Sequence, residues 1–142
     1  MFRNPSSQEI AALLRGAQTI AVVGLSRDHT RPSHGVARAM QRFGYRIIPV
    51  TPMAESILGE PAVDALDQLA DVLGAGERVD IVDVFRRPEH VPGIVEQCIR
   101  LKMPALWLQE GVIASGAADR AAHAGIFTVM DRCIFKDRAA MR

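Results

Sequence analysis

The residues of this chain that could do chemistry fall into a few short clusters. Gly24, Leu25, Ser26, Arg27, Arg31 and Ser33 all follow the apolar run Thr19-Ile-Ala-Val-Val23. Arg86 and Arg87 come directly after Asp80-Ile-Val-Asp-Val-Phe85, Gln109 after Ala105-Leu-Trp-Leu108, and Asp131-Arg132-Cys133 after Ile126 to Met130. A glycine turn ahead of a helix start presents backbone N–H groups, and guanidinium groups fork onto phosphate oxygens. Anion binding is therefore the chemistry these types suggest. Catalysis finds less support. His29, His34, His90 and His123 sit in separate segments without metal-ligand spacing, and Ser26 has no identifiable His-Asp partner to act as its base. No metal site and no catalytic residue are expected.

The elements that must position these clusters are legible from periodicity. Ser6-Ser7-Gln8-Glu9 has capping-box spacing ahead of Ile10, Leu13 and Leu14, which predicts a helix over 6–15. Residues 19–24 form a first strand whose unbroken apolar character implies burial on both faces. Val36, Ala37, Met40 and Phe43 recur at helical spacing, and Ser33 is placed to cap that helix. Arg46 to Val50 is the second strand, its end held to the sheet margin by Pro49 and Pro52. A helical pattern follows over 62–73, then a third strand at 80–85 and a helix with Pro88 in its first turn. A fourth strand at 105–108, a helix over 115–124 and a fifth strand at 126–130 complete the pattern. The residues from Phe135 are expected to form a loosely docked tail.

Strands alternating with helices predict an α/β fold, a Rossmann-like open parallel five-stranded sheet with helices on both faces. The expected strand order is 3-2-1-4-5. The 142 residues suit one domain, 1–142, with a core of about 17–135. A formal net charge of +1 gives no general nucleic-acid or membrane surface. No apolar run approaches the ~20 residues of a membrane span, and residues 1–18 lack a signal-peptide pattern. Cys98 and Cys133 make no disulfide framework, so a reduced cytoplasmic setting is expected. Of 17 basic residues only Lys102 and Lys136 are lysine, a bias that suits phosphate binding and that codon usage would also produce.

In such a fold, ligands bind beyond the carboxyl ends of the strands. Arg27, Arg31, Arg86, Arg87 and Arg132 all fall there, against Arg46, Arg78 and Lys102 at the opposite edge. Roughly half of these five are expected to pair with Asp28, Glu89 or Asp131, as exposed pairs do at little gain. The remainder imply an anion of nucleotide size. A nicotinamide dinucleotide fits poorly: after Gly24 the next glycine is Gly35, and the second strand ends in Val50-Thr51-Pro52 with no acid for a ribose. NADP could use Arg27 or Arg31, so an NADP-dependent reductase stays as an alternative.

Val-Val-Gly-Leu-Ser (22–26), Arg-Pro-Ser (31–33), Gly-Tyr-Arg-Ile-Ile-Pro-Val-Thr-Pro (44–52), Asp-Ile-Val-Asp-Val-Phe-Arg-Arg (80–87), Leu-Trp-Leu-Gln-Glu-Gly (106–111) and Val-Met-Asp-Arg-Cys (129–133) occur in that order. This set resembles the stand-alone CoA-binding domain proteins, which are similar to the N-terminal CoA-binding domain of the succinyl-CoA synthetase alpha subunit. The resemblance spans about residues 17–135. It implies CoA or an acyl-CoA as the ligand. Gly24 to Ser26 and the helix start at Ser33 would receive the pyrophosphate, with Arg31 added on charge and position. Val50, Thr51 and Pro52 would flank the adenosine, Phe85 and Arg86 would lie on its other side, and Leu108 and Gln109 would line the exit toward the pantetheine arm. Two departures stand out: Thr51 occupies a position where the family usually has Asn, and Leu69 to Arg78 is longer than usual. The phosphorylated histidine of succinyl-CoA synthetase lies outside the matching domain, so no equivalent carries over. A non-catalytic CoA-binding module is the first reading; a subunit of an acyl-CoA ligase is a second alternative, and a protein partner or self-association stays open. Cys133, beside Arg132, could form a mixed disulfide with CoA or simply close a strand end.

Overall fold

The computed structural model describes residues 1–141. Its elements run α1 (Ser7–Gly16), β1 (Thr19–Val23), α2 (Pro32–Arg42), β2 (Arg46–Val50), β3 (Ser56–Ile57), β4 (Glu60–Pro61), β5 (Ile81–Val84), α3 (Val91–Arg100), β6 (Ala105–Leu108), α4 (Ser115–His123), β7 (Phe127–Val129) and α5 (Ile134–Ala139). Short 3-10 turns at Leu66–Asp71 and Pro88–His90 fill two of the connections. At α1 the capping box forms as its spacing predicts: Glu9 N–H donates to Ser6 Oγ, and Ser6 N–H donates to a Glu9 carboxylate oxygen. Among the described residues no helix is long and apolar enough to cross a membrane.

Five parallel strands pair in the order β2-β1-β5-β6-β7. The α/β class and the parallel sheet agree with the expectation, but the strand order does not. Numbering only these five strands, it is 2-1-3-4-5, where 3-2-1-4-5 was expected. Pro49 supplies the reason. Its carbonyl accepts from Val63 N–H at 3.0 Å on the outer side of β2, so its missing N–H also faces outward. A full strand cannot pair there, and β5 enters on the free side of β1 instead. The outer edge of β2 is closed by a single parallel bridge between Val50 and Val63.

Alternation along the strands divides the core into two layers. Val23, Val50, Val82, Val84, Leu106 and Leu108 pack against α3, α4 and the Leu66–Asp71 turn. Ile20, Val22, Ile47, Ile81, Trp107 and Val129 pack against α1, α2 and α5. The 62–73 segment is not the expected helix. Val63 is held extended by β2, and the β3–β4 hairpin turns through Leu58 and Gly59, both at positive φ. One 3-10 turn is enough to bury Leu66 and Leu69, with Val72 and Leu73 partly buried just beyond it. The chain from Phe135 is not a loose tail either. Ile134 is fully buried, Arg138 Nε donates to Tyr45 Oη at 3.1 Å, and its guanidinium sits 4.4 Å from the Phe43 ring centre. Arg142 lies outside the described residues.

Two features of β1 and β5 generate measurable consequences. Gly24 has φ +85°, and a Cβ there would lie 2.7 Å from the Phe85 carbonyl oxygen and 2.9 Å from Arg86 Cδ. Gly24→Ala should therefore destabilise the protein by about 1–3 kcal/mol. Gly35→Ala, in α2 with open space around it, should add about 0.5–1 kcal/mol. Chemical denaturation of both variants checks the contrast. Asp83 lies in β5 between Val22 and Trp107, 1% exposed, with Oδ1 unpartnered among the described residues. Burial pushes its carboxyl well above the ordinary range. The fold thus favours the neutral form: the contribution is full at low pH, where the unfolded chain is protonated too, and is lost as pH rises toward the raised folded value. Asp83→Asn should stabilise the protein at neutral pH by a margin that shrinks toward pH ~4. A pH series of melting curves measures that margin, and a constant offset would contradict it.

Candidate functional site

The strand order sets where the crevice opens. β1 leads by way of α2 to β2 on one side, while β5 lies on the other, so the loops after β1 and β5 part at this point. The two exits are still in close contact at their base. Phe85 N–H donates to the Val23 carbonyl, and Gly24 N–H donates to the Val50 carbonyl, both at 2.9 Å. Above them opens a cavity of about 700 Å³, within the usual range for small-molecule sites. Gly24, Ser26, Arg31, Ser33, Phe85, Arg86 and Gln109 all line it. A second cavity of about 220 Å³ lies beyond the carboxyl ends of β1 and β2, and Val50 and Pro52 line it. Arg86 lines both.

The remaining predicted residues are placed elsewhere. Leu25 and Leu108 are fully buried and belong to opposite core layers, because each follows the inward face of its strand exit. Arg27 and Thr51 line neither cavity. Ser33 does not cap α2: the helix begins at Pro32 with Arg31 at the cap position and no side-chain cap. Its hydroxyl oxygen instead accepts from Ser26 N–H at 3.0 Å. With Gly24 N–H committed to β2, two of the three amides expected to face a pyrophosphate are already used. In the first turn of α2, Pro32 has no N–H and the His34 N–H donates to the Arg31 carbonyl at 3.1 Å, so the donors the cavity offers an anion are chiefly guanidinium groups.

The loop between β1 and α2 is wired by its own polar groups. Ser26 Oγ accepts from Asp28 N–H, and Asp28 Oδ1 accepts from both the N–H and the hydroxyl of Thr30. These bonds hold the Asp28 carboxyl below its ordinary range and commit that charge to the loop. Asp131 likewise accepts from Gly111 N–H at 2.8 Å. Pairing among the edge arginines is thus sparser than expected and involves a different acid: among the described residues Arg132 alone of the five is paired, with Asp137. Arg31, Arg86 and Arg87 have no ion pair among the described residues. Glu110, on the cavity wall, is held by Lys136 at 3.0 Å. The cavity keeps a surplus of positive charge.

Buried polar groups finish the wall. Gln109 is 3% exposed, and its Oε1 accepts from Ile134 N–H at 3.0 Å. That bond fixes which end of the amide is oxygen and leaves the NH₂ to the cavity. Trp107 Nε1–H donates to the Arg132 carbonyl at 2.7 Å, so this tryptophan packs in the core and ties down the α5 entry. Cys133, the residue before α5, lines the larger cavity, whereas Cys98 is fully buried with its thiol pushed up to about 12. Arg87 and Cys133 were visible in the sequence as edge residues. Asp64 and His90, which line the smaller cavity, carried no local signal. Among the described residues no cluster of metal-ligating side chains occurs.

Comparison with known proteins agrees with this geometry. A family model described as CoA binding domain matches residues 18–138. The uncharacterized protein YneT of Bacillus subtilis (strain 168) is 40% identical over 133 residues, covering 94% of each chain. The solved structure of cell-free ID.343 from Thermus thermophilus superposes with a TM-score of 0.86 at 36% identity, over 95% of this chain and 98% of that one. The dinucleotide-forming acetyl-coenzyme A synthetase 1 of Ca. Korarchaeum cryptofilum shares the fold, with a TM-score of 0.64 at 19% identity. There the match covers 78% of this chain and 25% of that one. On a family match that runs from before β1 into α5, the chain belongs to the CoA binding domain family.

Proposed function

We propose that this protein binds CoA or an acyl-CoA at the carboxyl edge of its sheet and does not transform it. One observation carries the reading: in a chain of the CoA binding domain family, Arg31, Arg86 and Arg87 face a cavity of about 700 Å³ without acidic partners among the described residues. The diphosphate lies against Arg86 and the start of α2, where a guanidinium fork and the positive end of the helix dipole meet it. From Arg86 the nucleoside extends into the smaller cavity beside Val50 and Pro52. The pantetheine arm runs along the larger one past Phe85 and Gln109. No histidine stands among the residues lining the larger cavity to activate Ser26, Ser33 or Cys133, which supports binding without turnover.

Single contacts of this kind are weak. A charge at a helix N-terminus contributes about 0.3–1 kcal/mol, whereas micromolar affinity needs about 8 kcal/mol. The three arginines must therefore act together. Thermal-shift titration with CoA, acetyl-CoA, NADP and ATP checks the ligand class: CoA species at 100 times their Kd should add about 2.7 kcal/mol of stability. Absence of stabilisation by every CoA species at millimolar concentration would sink the reading. Arg31→Ala should weaken CoA binding roughly tenfold and flatten its salt dependence. The melting temperature of the unliganded protein should stay unchanged, because Arg31 is exposed and unpaired among the described residues.

A further inference from the structure

The larger cavity ends beside a thiol. Its lining passes along the strand exits in sheet order, from Gly24 after β1 to Arg86 after β5, Gln109 after β6 and Cys133 after β7. Neighbouring strands lie about 4.8 Å apart, so roughly 10 Å separate the β5 exit from the β7 exit. Cys133 is 8% exposed and lines the cavity, while Cys98 is fully buried and lines no part of it. Gln109 shows what kind of group belongs next to that thiol. Only 3% exposed, it commits Oε1 to the N–H of Ile134, the residue after Cys133, and its NH₂ has no partner among the described residues. A buried amide donor open to a cavity requires an acceptor from a ligand. Lys136, further along α5, is pushed up first by its bond to Glu110 and to a smaller degree by a negative charge on Cys133, so an ammonium stands within Coulomb range of the thiolate.

We infer that Cys133 is a covalent capture site for the thiol end of CoA, which it takes by thiol–disulfide exchange with a CoA disulfide. This rests on the CoA-site reading above. With the diphosphate at Arg86, the pantetheine arm crosses from the β5 exit toward the β7 exit. Its pantoyl, β-alanyl and cysteaminyl units amount to about three residue lengths, roughly 10 Å when extended, which is the span between those exits. The Gln109 NH₂ donates to an amide carbonyl of the arm and so sets the terminal sulfur beside Cys133. In the exchange, the Cys133 thiolate attacks the CoA sulfur of the disulfide. A bond forms between Sγ and that sulfur, the original S–S bond breaks, and the other half leaves as a thiolate that takes up the proton lost by Cys133. No net oxidation occurs, because one disulfide replaces another. The event happens once per chain, in keeping with a site that binds without turnover. An acyl-CoA thioester has no disulfide to exchange, so the same contacts hold it without capturing it.

The experiment incubates the reduced protein with CoA disulfide and, in parallel, with bis(2-hydroxyethyl) disulfide, which lacks the nucleotide, and follows intact mass over time. The expected result is one CoA per chain, located at Cys133 by peptide mapping and removed by dithiothreitol. CoA disulfide should react at least about tenfold faster than the hydroxyethyl compound, because binding makes the encounter intramolecular. Excess acetyl-CoA should abolish that advantage by occupying the site. Cys133→Ser should remove the adduct and Cys98→Ser should keep it, with thermal melts confirming that both variants fold; peptide mapping of the wild type decides the matter if Cys133→Ser does not. Equal rates with the two disulfides, or labelling confined to Cys98, overturn the assignment. Binding of acetyl-CoA without any adduct at Cys133 overturns it too, while leaving the CoA site standing. Failure of both CoA and acetyl-CoA to bind overturns the site itself, and this inference with it.

Discussion

The architecture depends on how closely β1 and β5 approach at their carboxyl ends. Gly24 turns at positive φ with the Phe85 carbonyl and the Arg86 side chain against the space a Cβ would need. Only glycine meets both the dihedral and the distance. Because of that contact, the loop after β1 rises clear of β5, and Arg86 sits at the floor between two cavities. A side chain at position 24 would push the two strand exits apart and remove the arginine from the crevice. The site and the sheet are thus set by the same backbone contact.

Around that contact, the edge commits most of its acids. Asp28 holds its own loop, Asp131 holds the turn at Gly111, Asp137 holds Arg132, and Glu110 holds Lys136. None of these bonds contributes much stability at the surface. Their consequence is electrostatic: Arg31, Arg86 and Arg87 are left facing a cavity with no neutralising partner among the described residues. Exposed like charges repel one another, so such an arrangement is one that an anion would stabilise. Gln109 completes the same wall, and its bond and that of the buried Trp107 to the α5 entry couple the C-terminal helix to the shape of the cavity.

Most of the elements were legible in the sequence because periodicity and punctuation are local. The second strand and the fourth were readable to the residue, since each is a short apolar run bounded by turn residues. The capping box at Ser6 and Glu9 needed only its own four residues. The 62–73 segment misled because its leucine spacing is helical while its backbone is committed to β2 through Val63, a partner outside any local window. The C-terminal helix misled for a related reason. Ile134 finds its partner in Gln109 after β6, and Arg138 finds Phe43 and Tyr45 in the turn between α2 and β2, and only the folded chain brings those together.

The sequence by itself determined the fold class, the family resemblance and the edge that carries the arginine-lined cavity, because all three follow from the order of strands, turns and charged loops. Tertiary structure decided the rest. It placed β5 beside β1, since Pro49 turns its missing donor outward. It withdrew Leu25 and Leu108 into the core and used the amides of Gly24 and Ser26 for the chain's own bonds. It also carried Asp64 across the hairpin to the end of β2, where the sequence shows only Val-Thr-Pro. Strand exits converge in space whatever their separation along the chain, so the edge that holds the cavity can be located from sequence, but the side chains that line it are chosen by packing.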